Sequence, residues 1–595
     1  MSPSTNGING HVNGHTNGHV VELQLGDFCI DEYKPLKVIV IGAGFSGVAA
    51  GIRFRQHISN LDLTIYDKND SVGDIADAFY FGQFQFSFDQ KNDWSALYSP
   101  GKEILSYLRS VVDRYQLEPY IKLSNKMTRA WYNEPTGKWH VLVTRPSVTS
   151  PGEFEEFEDT CDFLFTGMGI LSRWSWPDID GLKNFKGTLV HSANWDLGGA
   201  TWEDDAKDWH DKNVAVIGLG STALQIVAAL QPKVGKLYNF GRGKAWISPP
   251  FAVTKFSELL SRDVFSDENY VFSEEEKKRL DDPVFGRQFR HALEQDMNSL
   301  HTVTMRNSPL QQQVQVWFKA HMIHRLAKKP EIAEKLIPDF SVTCRRLTPA
   351  PGYLDALCQE NVELITSDIK HVTSDTVETK DGSQTKLDVI ICATGFDSSY
   401  RYPFPIIGRD GVDLCDKWTP TAKTYLSVCV DGFPNCFFGL GPNSTIGTGS
   451  LIPMIEHQVD YAVQVAMKLQ RERLKSIEVK KRAVEDFDRF IEGYFPKTVF
   501  TEKVRTWYKL GKDEGRVVGL WPGSTLHALK ALKYPRWEDF NYEHNDGESS
   551  HNSLYWLGNG MTNNEKTLTG DRAWYLSKEY MDVPPIPTAT IKNKV

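Results

Sequence analysis

Lys37-Val38-Ile39-Val40-Ile41-Gly42-Ala43-Gly44-Phe45-Ser46-Gly47 decides the fold, because an apolar run ends there in a glycine turn and opens directly into a helical pattern. A strand, a G-x-G-x-x-G turn and a helix together form the context that makes this motif specific for a dinucleotide. The same order returns at Asn213-Val214-Ala215-Val216-Ile217-Gly218-Leu219-Gly220-Ser221-Thr222-Ala223, with Gln225 in the helical run that follows. Each turn aims the N–H groups of a helix N-terminus at a pyrophosphate. The chain therefore reads as a holder of two dinucleotides, able to pass electrons from one to the other.

The strands beyond the two turns end differently. After a helix starting near Ser46, Leu61-Asp62-Leu63-Thr64-Ile65-Tyr66 leads into Asp67. An acid about 20 residues past the fingerprint is placed to bind the hydroxyls of an unphosphorylated ribose. The plainer reading of Asp67 is a polar strand cap. In the second unit Lys236-Leu237-Tyr238-Asn239-Phe240 leads into Gly241-Arg242-Gly243-Lys244. Arg242 stands where the first unit has its acid, and a guanidinium suits a ribose 2′-phosphate, which favours NADPH over NADH. The plainer reading is a solvated loop charge.

From residue 36 onward strands and helices alternate, which implies parallel sheets covered by helices. Asp162-Phe163-Leu164-Phe165-Thr166-Gly167 and Asp388-Val389-Ile390-Ile391-Cys392-Ala393-Thr394-Gly395 each read as a buried strand ending in a Thr-Gly turn. This pair brackets an inserted domain, with chain crossings near residues 195 and 394.

The 67 basic and 76 acidic residues leave a net charge of -9, and their interspersion argues against nucleic acid or an anionic membrane as partner. The eight cysteines include no Cys-x-x-Cys pair, so neither a metal site nor a disulfide framework is expected. No run of 18 apolar residues and no signal peptide is evident, and a cytoplasmic enzyme is expected. Residues 1–24 repeat Asn-Gly and His with little to bury, and are expected to be disordered. The charged stretch 255–340, including Glu274-Glu275-Glu276-Lys277-Lys278-Arg279, reads as helical with a solvated face.

Phe185-Lys186-Gly187-Thr188-Leu189-Val190-His191-Ser192-Ala193-Asn194-Trp195-Asp196 lies between the two glycine motifs. From the residues alone, His191 and Trp195 could simply stack in a packed connection. The segment matches the Phe-x-Gly-x-x-x-His-x-x-x-Trp-(Pro/Asp) fingerprint, and the chain from about 36 to 540 resembles the Baeyer-Villiger monooxygenases, most closely their fungal branch. Ala393-Thr394-Gly395-Phe396-Asp397, Gly441-Pro442-Asn443-Ser444 and Trp521-Pro522-Gly523-Ser524 add to the resemblance.

This resemblance implies an α/β fold with two Rossmann-like domains, the NADPH domain inserted into the FAD domain and itself carrying a helical insertion. The implied boundaries are 36–195 and 394–540 for the two parts of the FAD domain. The NADPH domain takes 196–393, its helical insertion about 255–340, and a C-terminal surface segment 541–595. It implies FAD and NADPH as cofactors, and a coupling role between domains for Phe185, Gly187, His191, Trp195 and Asp196. The implied reactants are a small ketone and O2, giving an ester or lactone in fungal secondary metabolism. Oligomeric state is left open.

Oxygen transfer develops negative charge, which a fixed cation in a water-poor site stabilises most. Arg345-Arg346 is a candidate, although adjacent arginines are ordinarily solvated. The resemblance assigns Arg345 to the NADPH phosphate and Arg346 to the flavin. It also exposes a departure: the chain from Gly73 to Phe88 is about a dozen residues shorter than in fungal relatives. Asp74 is either the remnant of an active-site aspartate or a helix cap. Two alternatives stay open, a monooxygenase acting on sulfur or nitrogen, and a nucleotide-binding protein whose oxygen transfer is impaired by this shortening.

Overall fold

The computed structural model describes residues 25–73, 80–81, 84–199, 201–261, 269–545 and 552–581. The tail expected to be disordered, and Asp74, lie outside the described residues.

Four strands begin the first sheet: β1 (Leu36–Ile41), β2 (Leu61–Tyr66), β3 (Ile121–Lys122) and β4 (Phe163–Thr166). The chain then builds a second sheet from β5 (Thr188–His191), β6 (Asn213–Ile217), β7 (Lys236–Phe240), β8 (Val362–Ile365) and β9 (Val389–Cys392). Only afterwards does β10 (Cys436–Phe438) complete the first sheet. The spatial orders are β10-β4-β1-β2-β3 and β5-β9-β6-β7-β8, and every pairing is parallel. In sequence the second Rossmann-like domain is thus an insertion into the first. Strand β5 already pairs with β9, Val190 beside Ile391, so the first crossing precedes residue 188 and does not fall near 195.

Each central strand runs straight into its glycine turn and a helix, α1 (Phe45–His57) after β1 and α2 (Ser221–Leu230) after β6. One face of the first sheet carries a core that includes Trp139, Val141, Leu164 and Phe438. The second sheet buries Val214, Val216, Leu224 and Val227.

The insertion expected near 255–340 is helical: α3 (Val253–Leu260), α4 (Glu274–Asp281), α5 (Pro283–Ser299), α6 (Pro309–Arg325) and α7 (Pro330–Leu336). Its starts follow local chemistry. Asp282 caps Val284 and Phe285 ahead of Pro283, and Ser308 caps Gln311 ahead of Pro309. The charged face of α4 is only partly solvated, since Glu276 closes a capping box with Ser273 and is buried beside the Tyr270 hydroxyl. After β10 comes the long helix α8 (Leu451–Arg471), which buries Ile452, Ile455, Val459 and Val463.

Residues 25–34, 471–474 and 544–581 group as a separate unit, in which the described C-terminal stretch is largely exposed. Among the described residues no helix is long and apolar enough to cross a membrane. Also among them, no cluster of His, Cys, Asp or Glu is arranged to hold a metal ion. All eight cysteines are free and six are buried.

Candidate functional site

The two glycine turns repeat one design with different tolerances. Gly42 has φ +104°, and a Cβ there would stand 2.5 Å from the Gly167 carbonyl oxygen. Gly218 has φ +140°, with the Ala393 carbonyl oxygen 2.3 Å from the same point. Each central strand is therefore closed against the strand beside it by a contact that only glycine permits. In the first sheet the partner is the Gly of the Thr166-Gly167 turn. In the second it is Ala393, while a Cβ on Gly395 would meet nothing within 4 Å, so the close approach is displaced from the expected Thr-Gly pair.

The third motif position packs helix on strand. A Cβ on Gly47 would lie 1.8 Å from the Gly42 carbonyl oxygen, whereas Ala223 fits at the equivalent place, fully buried. The middle glycines differ from both. Gly44 (φ -81°) and Gly220 (φ -91°) have ordinary backbone, and a Cβ on either meets no protein atom within 4 Å. Neither helix has a side-chain N-cap, so the first-turn N–H groups are left for an anion. These open cradles at two helix N-termini fit two pyrophosphates.

Around the first turn, Phe45 packs on Phe84 and Phe86 at 5.9 and 5.4 Å, and Ser46 is buried against Gly439. Asp67 accepts from the Ala43 N–H at 2.6 Å and from the Asn69 N–H at 2.8 Å. It braces the turn from the end of β2, which is the cap reading, and sits beside the place where a ribose would lie. Around the second turn, Ser221 is exposed and shares a hydrogen bond with Thr348, while Thr222 and Gln225 are half-buried.

Arg242, at the end of β7, is exposed. Arg345 comes to the same loop: it donates to the Lys244 carbonyl at 3.1 Å, and a Cβ on Gly243 would be 4.0 Å from its guanidinium. It lies over the Phe340 ring at 5.4 Å, burial lowers its pKa, and its buried Nε has no partner. Arg345 is thus held against the loop that carries Arg242, whose own charge bears on Asp368. Arg346 is exposed, and its charge opposes the burial that pushes the Tyr508 hydroxyl up to about 12, while Arg345 feels the charges of Arg505 and Asp513 in the same stretch.

Tyr508 belongs to the segment that receives the two late motifs. Asn443 donates to the carbonyls of Val517 and Leu520 at 2.9 and 3.0 Å, and the Trp521 N–H reaches the Thr445 carbonyl at 2.7 Å. The Asn443 Oδ1 and Ser444 Oγ atoms are buried without partners. Trp521 donates its indole N–H to His527 Nδ1 at 3.0 Å.

The segment Phe185 to Asp196 is a structural member of the second sheet and not a loose connection. Phe185 is buried, and a Cβ on Gly187 would strike the Asp388 carbonyl oxygen at 2.3 Å. His191 is 1% exposed, stacked on Trp174 at 4.5 Å and set edge-on to Trp176. Its Nδ1 accepts from the Ala193 N–H at 3.1 Å, which leaves the proton on Nε2 to donate to Thr394 Oγ1 at 3.2 Å. Burial lowers its pKa, consistent with a neutral ring. Trp195 donates to Asp205 at 3.0 Å, and Asp196 is exposed.

Sequence reasoning missed two polar residues of α8. Glu456 is buried and accepts from the Ser87 N–H and hydroxyl, and Gln458 accepts from the Leu440 N–H at 2.9 Å. Their signal was polarity at positions that α8 buries together with its apolar residues.

No protein-family model matches the chain. It is 35% identical over 557 residues to the FAD-binding monooxygenase tazF of Aspergillus terreus, covering 91% of this chain and 95% of that protein. It is 29% identical over 505 residues to a Baeyer-Villiger monooxygenase of Pseudomonas aeruginosa, covering 82% and 88%. Among solved structures, the cyclohexanone monooxygenase of Rhodococcus sp. Phi1 bound to NADP+ superposes with a TM-score of 0.68 at 26% identity, over 86% of this chain and all of that one.

Proposed function

The chain belongs to the flavin-dependent monooxygenases of Baeyer-Villiger type, using FAD and NADP(H), and from that premise we propose that it inserts one oxygen atom of O2 beside a ketone carbonyl to give an ester or lactone. The substrate is proposed to be a ketone of fungal secondary metabolism, a reading favoured by likeness to a fungal relative over nearly the whole chain. When bound, FAD reduced by NADPH supplies the electrons that activate O2.

The chain's own residues divide the remaining work. Gly44 with the first turn of α1 would hold one pyrophosphate, Gly220 with that of α2 the other, and Asp67 stands by the ribose of the first. Arg242, exposed at the end of β7, and Arg345, held against the same loop, would bind the 2′-phosphate. Arg346 is the cation assigned to developing negative charge, a role that the resemblance of the Arg345-Arg346 pair supports. Phe185, Gly187, His191, Trp195 and Asp196 would couple the two domains through β5.

What supports the ketone reading is the match of this last segment, Phe185 to Asp196, to the Baeyer-Villiger fingerprint. The test is product analysis with the FAD-loaded protein, NADPH and 18O2, offering cyclic ketones and thioethers side by side. One 18O atom in an ester or lactone is the expected result. Sulfoxide as sole product would replace this reading with heteroatom oxidation, and NADPH consumption yielding only hydrogen peroxide would replace it with impaired transfer.

A further inference from the structure

Helix α5 carries Arg290, Glu294 and Asn298 four residues apart, hence on one face. All three are spent on the flavin half. Arg290 donates to the carbonyls of Phe86 and Gln85 at 2.9 and 3.2 Å. Glu294 has both carboxylate oxygens 2.8 Å from the Ser450 hydroxyl, which donates. Asn298 Oδ1 lies 2.7 Å from where a Cβ on Gly449 would stand, and Gly449 has φ +90°.

The turn gripped in this way, Thr448 to Ser450, immediately precedes α8, and Thr525 also holds it by donating to the Thr448 carbonyl at 2.6 Å. Further along, α8 braces the neighbourhood of the first glycine turn, because Gln458 takes the Leu440 N–H and Gly439 packs on Ser46. Seven residues of helix, ~10 Å, separate Gln458 from the N-terminus at Leu451. A dinucleotide whose pyrophosphate lay on α1 would have these α8 contacts beside it, and the turn that α5 grips begins that same helix. Meanwhile α6 and α7 bury Phe318, Met322, Ile332 and Leu336 in the core of the second domain. The insertion is thus rooted in one nucleotide domain and clasps the other.

We propose that Glu294 is a positioning residue for bound FAD, acting through Ser450 to fix the turn at the N-terminus of α8. The proposal rests on the assignment of FAD to the first glycine turn. Burial raises the pKa of Glu294, against the Ser450 hydrogen bond and the Arg290 charge, which lower it, and with the Glu456 charge, which adds to the rise. An ordinary structural contact predicts only a change in melting temperature. A positioning contact predicts a change in the flavin itself.

The experiment uses the full-length protein with FAD and the variants Glu294→Ala, Glu294→Gln, Ser450→Ala and the double Ala variant. It measures FAD dissociation by flavin fluorescence, the position of the visible flavin band, and the melting temperature of the apoprotein. Glu294→Ala and Ser450→Ala are each expected to weaken FAD binding about tenfold and to move the band, with no further loss in the double variant. Glu294→Gln, whose amide oxygen still accepts, is expected to stay within about twofold of the parent. Additive losses, an unmoved band, or losses that follow melting temperature alone overturn the proposal. A parent protein that binds no FAD overturns the flavin assignment along with it.

Discussion

Replacing Gly44 with Ala separates folding from cofactor binding, because the added methyl meets no protein atom within 4 Å and the backbone at φ -81° accepts any L residue. Two small effects on stability oppose each other. Gly44 is an N-cap, where Ala is disfavoured by up to ~1 kcal/mol, and removing a glycine's freedom in the unfolded chain returns ~0.4–1 kcal/mol. The net change in the apoprotein is about zero, within ~0.5 kcal/mol, or about 2 °C in melting temperature. Binding behaves otherwise. A methyl in the cradle pushes the pyrophosphate away from the first-turn N–H groups, and losing one or two hydrogen bonds to a charged group costs ~1.5–3 kcal/mol each. That is about ten- to a hundredfold in FAD affinity for one such bond.

Gly47→Ala is the control, since its Cβ would stand 1.8 Å from a backbone oxygen and the helix must move or the fold must yield. The assay pairs FAD titration by fluorescence quenching with differential scanning of the apoprotein. A Gly44→Ala protein with parental FAD affinity refutes the placement of the pyrophosphate. One that loses its apoprotein stability refutes the claim that Gly44 is kept for the ligand.

Arg242→Ala is expected to raise the Michaelis constant for NADPH at least about tenfold more than that for NADH, as loss of one charge-assisted contact requires; equal effects would remove the 2′-phosphate assignment. Arg346→Ala should leave NADPH-driven flavin reduction largely intact and lower ester formation by about a hundredfold or more, the scale of a lost oxyanion-type contact, and normal product would refute its role. His191, with a pKa depressed below 6.5 by burial, stays neutral in the fold while the unfolded chain takes up a proton. Stability present above pH 6.5 is therefore lost as pH falls through 6.5 toward the depressed value. Melting curves from pH 8 to 5 should show this slope, and His191→Gln should reduce it to the part left by His301 and His527, whose pKa values burial also lowers.

Both nucleotide domains were legible because their signals are local. A strand, a turn that needs φ above zero and a helix follow one another without a break from Leu36 to His57 and from Asn213 to Leu230, and Gly42 and Gly218 declare themselves. Their partners were not legible, since Gly167 and Ala393 arrive from more than a hundred residues away and chain pairing alone selects which atom closes the contact. The same limit explains β5. Thr188-Leu189-Val190-His191 is four residues long, and such a run is a linker or a strand until β9 lies beside it. The Arg345-Arg346 pair shows a finer limit: sequence reads two like charges, while the fold half-buries Arg345 against the Lys244 carbonyl and leaves Arg346 exposed. The stripe on α5 was hidden because a polar helical face looks solvated until the carbonyls of Gln85 and Phe86 occupy it.

The tolerances of the two glycine turns imply different lifetimes for what they hold. Around the first, Phe45, Ser46 and Gly47 are buried, the helix touches the strand so closely that only glycine fits, and Asp67 braces the turn from the side. Around the second, Gly220 and Ser221 are exposed and the helix stands off far enough to admit the methyl of Ala223. A ligand enclosed on several sides leaves only when its walls open, whereas one lying on an exposed helix end leaves by breaking its own contacts. An electron-transfer cycle needs that asymmetry, with the first nucleotide resident and the second exchanged each turnover. The cations follow the same logic, because an exchanging nucleotide must be recognised anew each time. On the proposed assignment, Arg242, exposed at the end of β7, is placed for that recognition.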